Sequence, residues 1–136
     1  MSLTTFLKGN AKTIGVIEYA PSDRFLDEEG KPAKFKIRAI SGKLDAQLRA
    51  QAQIKDEKTG VMEFDTNKYM ALLATTCISE PDLRNAELQD SYGVKNEVDL
   101  LEVMFTAGEY QRLLMKVQKV NGFTETYQDK VKEAKN

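Results

Sequence analysis

The sequence predicts an α+β domain that is mainly helical, with about five helices and one small antiparallel β-hairpin. Three observations carry that prediction. Tyr110, Leu113, Leu114 and Val117 recur at i, i+3, i+4 and i+7, one apolar face of a helix. Ser41, Asp65 or Thr66, Asn85, Asn96 and Thr106 stand as polar caps before helical stretches. Only Ile14–Tyr19 and Phe35–Ile40 carry strand signals.

Taken in order, residues 2–9 can make one or two helical turns ending at Gly9, with Leu3, Phe6 and Leu7 as a small apolar face. A segment this short persists only if it docks onto the body. In the second strand candidate Phe35 and Ile37 alternate with Lys34, Lys36 and Arg38, the pattern of a half-buried strand. Asp27-Glu-Glu-Gly-Lys-Pro32 is a polar turn between the strands, with Arg24-Phe25-Leu26 in the arm of the same hairpin. Its acidic trio reads as a solvated turn, because the ligand spacing of a calcium loop is missing.

A helix over Lys43–Gln53, capped by Ser41, has a thin apolar face in Leu44 and Leu48, so it is mostly solvent-facing or leans on a partner. Lys55–Gly60 is a charged turn. A stronger helix runs to Ile78 with Tyr69, Leu72, Leu73 and Thr76 on one face. Pro81 stops it, since a residue before proline avoids the helical region. A short helix spans Asn85–Gly93. The helix capped by Asn96 carries Val98, Leu101, Met104 and Phe105. Thr106-Ala-Gly-Glu109 is a capping box, and Phe105 and Tyr110 are spaced for a hydrophobic staple. Asn121-Gly122 ends the last helix. These last two helices are expected to pack as a hairpin and form the main core. Residues 1–122 then make one globular domain, and 123–136 a polar tail expected to fray, with a thin stripe of Tyr127, Val131 and Ala134.

Composition narrows the function. Of 136 residues, 41% are hydrophobic and 30% charged, which fits an ordinary soluble domain. The net charge of −1 supplies no global basic field for nucleic acid or an anionic membrane. No apolar run approaches the roughly 20 residues of a membrane span, and no signal-peptide pattern opens the chain, so the cytoplasm is expected. Histidine is absent, which excludes Ser–His and Cys–His triads and His-based metal sites. Cys77 has no partner for a disulfide and sits in a helical apolar pattern, where it reads as a small buried hydrophobe. No P-loop or dinucleotide fingerprint appears. The expectation is a non-enzymatic binding protein with no cofactor and no metal.

Two runs carry a resemblance. One is Arg24-Phe-Leu-Asp-Glu-Glu-Gly-Lys-Pro-Ala-Lys-Phe-Lys-Ile-Arg-Ala-Ile-Ser41. The other is the ordered series Tyr69, Leu72, Cys77, Pro81, Asn85–Gly93, Leu101, Gly108-Glu-Tyr110 and Val120-Asn-Gly122. Together they resemble the XkdN-like (YqbN-type) phage tail assembly chaperones, over roughly residues 3–122. The resemblance implies a cytoplasmic protein that binds the long, aggregation-prone tape measure protein while tail-tube subunits polymerise around it. It implies absence from the mature virion and brings no catalytic residues. It further implies a minority product extended by ribosomal slippage, and the ending Ala134-Lys135-Asn136 can be encoded by a slippery heptamer. The rival readings are a structural tube or connector protein of the tail, a small carboxylate or lysine enzyme, and a nucleic-acid-binding regulator.

Leu100, Val103 and Met115 fall outside the apolar stripes of their helices. Either other helices cover them, or they form a partner-binding surface.

Overall fold

The computed structural model describes residues 2–123. The chain starts with two 3-10 turns, Leu3–Phe6 and Lys8–Asn10. Strands β1 (Val16–Tyr19) and β2 (Phe35–Arg38) follow, then α1 (Gly42–Gln51), β3 (Gln53–Lys55) and β4 (Met62–Phe64). Next come α2 (Thr66–Cys77), β5 (Ile78–Glu80), α3 (Ala86–Ser91), α4 (Glu97–Met104) and α5 (Ala107–Val120). The expected α+β, mainly helical fold is what forms.

The hairpin read from the sequence is present. β1 pairs antiparallel with β2, with Ile17 opposite Ile37 and Tyr19 opposite Phe35. Alternation does what it predicts in β2: Phe35 and Ile37 are buried, and Arg38 is exposed. In the turn, the Asp27 carboxylate accepts from the backbone N–H groups of Glu29 and Lys31, and Gly30 takes φ +79°. The Asp27 carboxylate is thus occupied with shaping the turn.

Every expected N-cap forms. The side chains of Ser41, Asp65, Asn85, Asn96 and Thr106 accept from the backbone N–H three residues on. The Thr106–Glu109 capping box is complete: the Glu109 N–H donates to Thr106 Oγ1 at 3.3 Å, and the Thr106 N–H donates to Glu109 Oε1 at 2.9 Å. Gly122 ends the last helix at φ +79°. The cap Asn121 accepts from the Ile40 N–H at 2.9 Å and donates to the Val117 carbonyl at 2.9 Å, tying that helix end to the sheet.

The sheet content exceeds one hairpin. β5 adds to the far side of β2, giving an antiparallel sheet in the order β1-β2-β5, and β3 and β4 make a second hairpin. That hairpin takes over the end of the stretch expected as helix, so α1 stops at Gln51. The expected N-terminal docking does not occur: Leu3, Phe6 and Leu7 are all exposed. The core also centres elsewhere than expected. α2 packs against α1, α4, α5 and β5, and α4 and α5 each meet α2 more closely than they meet each other. Leu73, Ala74 and Cys77 of α2 are fully buried, so this helix, with its small residues, is the one the others close around. One cluster of buried side chains runs from Phe35 and Ile37 through α2 to Leu101, Leu113 and Val117. The expected stripe of Tyr127, Val131 and Ala134 lies outside the described residues.

Candidate functional site

The three residues singled out for partner binding separate. Leu100 is 0% exposed and belongs to the core. α4 buries the face formed by Leu100, Leu101 and Met104, so Leu100 is not available to a partner of the folded chain. Val103 is 51% and Met115 63% exposed, on the outer faces of α4 and α5. Among the described residues these two remain where a second protein can touch them.

Larger exposed apolar surface lies where the sequence reading did not look. The β3–β4 hairpin exposes Ile54, Val61, Met62 and Phe64. Its turn runs from Asp56 to Val61, closed by the Asp56 N–H donating to the Val61 carbonyl at 2.9 Å, with Gly60 at φ +73°. The signal was available: short β-prone runs flank a polar turn with glycine at the position needing positive φ.

Arg49 fastens this hairpin to the helices. Its guanidinium lies 4.4 Å from the Tyr69 ring centroid and 5.9 Å from those of Phe64 and Phe123. Arg49 Nε donates to Asp45 at 2.8 Å and Nη2 to the Tyr69 hydroxyl at 3.1 Å, while that hydroxyl donates to Asp45. Burial, then the hydrogen bond it donates to Asp45, pushes the Tyr69 phenol up to about 12, so it stays protonated and acts as a donor. Burial alone would raise Asp45, but the hydrogen bonds from Tyr69 and Arg49 outweigh it and hold the carboxyl below its ordinary value. The cluster's own groups satisfy one another, and its chemistry is that of a clasp.

A second clasp holds the loop after β1. Arg24 Nη2 donates to Glu109 at 2.7 Å and to the Met104 carbonyl at 2.9 Å. The Arg24 hydrogen bond, with help from Ser22 and the Thr106 N–H, brings the Glu109 carboxyl down to about 2. Glu109 is only 8% exposed, so the carboxylate is a fixed acceptor. Cys77 is buried, and burial pushes its thiol up, which fits the expected inert hydrophobe.

Among the recesses of the described surface, one of about 560 Å³ lies beneath α1 and is lined by Leu44, Leu72 and Ile78 together with Arg38, Asp82 and Arg84. This is where the thin apolar face of α1 comes to rest, with Leu48 buried beside it. Others of about 340 Å³ between α2, α4 and α5, and about 290 Å³ beside Tyr19 and Pro21, are polar-edged. Val103 and Met115 line none of the three. No helix of the described residues is long and apolar enough to cross a membrane. Among the described residues no group of three or more Cys, Asp or Glu is gathered to hold a metal ion.

Known proteins match this chain along most of its length. A family model described as phage XkdN-like tail assembly chaperone protein matches residues 3–135. In Bacillus subtilis (strain 168), the uncharacterized protein YqbN and the phage-like element PBSX protein XkdN are similar to it. Each is 28% identical over 138 residues, which span 98% of this chain and 93% of the relative. The crystal structure of the protein YqbN shares the fold, with a TM-score of 0.77 at 24% identity, over 90% of this chain and 97% of that one.

Proposed function

Because the chain belongs to the phage XkdN-like tail assembly chaperone family, we propose that it binds the tape measure protein during tail morphogenesis, without catalysis and without a cofactor. The family match over residues 3–135 carries this reading. The surface supports it: Ile54, Val61, Met62 and Phe64 on one hairpin, with Val103 and Met115 on the helices, are exposed apolar side chains of the kind that shield an aggregation-prone partner. Methionine adapts to irregular apolar surfaces, and this set contains two. The chain works in the host cytoplasm and leaves before the virion is complete, with tail-tube subunits as a second partner.

Co-expression with the tape measure protein tests the reading. The expected result is a soluble complex that co-purifies, and a tape measure protein that precipitates when expressed alone. Ile54→Ser with Met62→Ser and Phe64→Ser, and separately Val103→Ser with Met115→Ser, divide the surface into two sets. Loss of co-purification with either folded variant locates the binding face. Undiminished binding by both would remove these residues from the interface. Mass spectrometry of purified particles separates the chaperone from a structural tail protein, since only the latter stays in the virion.

A further inference from the structure

In the order β1-β2-β5, β1 has a neighbouring strand on one side only among the described residues. Its other side presents a row of backbone N–H and C=O groups, a template for a further strand. Residues 11–18 are all exposed. Ile14 is 71% exposed, and Val16 and Ile17, which point to opposite faces of the sheet, are both exposed as well. Lys12 makes no ion pair among the described residues, and Glu18 reaches only Lys34, at 4.0 Å.

Taken with the four residues that lead into it, the sequence of this edge is complementary to itself. When two copies of Lys12-Thr-Ile-Gly-Val-Ile-Glu18 run antiparallel about Gly15, Lys12 faces Glu18, Thr13 faces Ile17 and Ile14 faces Val16. Two-fold symmetry makes each of those pairs occur twice. Opposite charges and β-branched pairs directly across an antiparallel ladder favour pairing, and no like charges face each other in this register. A slip of two residues one way puts Glu18 against Ile14, and the other way puts Lys12 against Val16.

We propose that β1 is the interface for a second copy of this chain, the two pairing edge to edge about Gly15 into a continuous six-stranded sheet. Pairing over seven residues buries well under the roughly 1,200 Å² of a stable interface, so the dimer is weak and forms at micromolar concentration. It is independent of what the chain chaperones.

Sedimentation velocity of the full chain at low salt, over a micromolar concentration series, reads the equilibrium. The wild type is expected to pass from monomer to dimer. Lys12→Glu sets Glu against Glu18 twice, and Glu18→Lys sets Lys against Lys12 twice. Each should weaken the dimer by about tenfold, the sum of a few surface charge pairs turned repulsive. Mixed in equal amounts, the two variants should associate as tightly as the wild type, because each carries the charges the other lacks. Lys12 lies outside the β1–β2 pairs, so Lys12→Glu should leave the thermal midpoint unchanged. The proposal is overturned by a wild type that stays monomeric, which would leave the edge bare or reserved for another protein's strand. A dimer that Lys12→Glu does not weaken, or a mixture no tighter than its components, overturns it equally.

Discussion

Glu109 joins two parts of the chain that lie 85 residues apart. Its capping-box half was legible, because both partners fall within four residues of sequence. Its bond to Arg24 was not, since nothing local says which loop closes over a helix end. The pair sets a pH dependence. Held near 2 by Arg24, against an ordinary value of 4.5, the carboxyl stabilises the fold fully above 4.5 and loses that contribution as pH falls toward 2. The denaturant midpoint of the wild type should therefore fall more steeply on acidification through this window than that of Glu109→Gln. Equal slopes would show that the ion pair is not formed in solution. Leu113 is fully buried in the predicted stripe, so Leu113→Ala should cost about 2–5 kcal/mol in denaturant unfolding. A loss under about 1 kcal/mol would place that stripe at the surface. Leu100 is covered, one of the two alternatives the sequence left open, and the sequence could not choose between them for a reason peculiar to α4. Its apolar residues cover a broad arc, and the sequence reports the arc's width but not which part of it meets α2.

At the scale of elements, the helices and their caps were legible because each is signalled within one or two turns. The missed strands are three residues long and owe their existence to pairing. Ile78-Ser-Glu80 becomes β5 only because β2, some forty residues earlier, offers an edge, and pairing at that separation leaves no local trace. The β3–β4 hairpin owes its position to Arg49 between Tyr69, Phe64 and Phe123. Such contacts contribute about 0.5–1 kcal/mol where exposed. Arg49→Ala should accordingly speed amide hydrogen exchange in β3 and β4 while the amides of α2 and α5 keep their protection. Uniform loss of protection would mean that Arg49 supports the whole core and not the hairpin alone.

For the whole molecule, the fold class was legible and the centre of the core was not. The capping box and long stripe drew the reading to α4 and α5, but both lean on α2, whose small residues make a weaker pattern and a better hub. The candidate surface was legible in part: excess apolar residues flagged Val103 and Met115, while the hairpin's Ile54, Val61, Met62 and Phe64 lay between the expected helices and turn, in positions assigned to no element. The junction of α2 and β5 has a mechanical meaning. Cys77 ends the helix and Ile78 begins the strand, with no residue between them to act as a hinge. Tension applied at the rim of the sheet passes through β2 and β5 straight into the helix on which the others rest. That junction has no slack, so a pull on the strand is felt by the helix as a load.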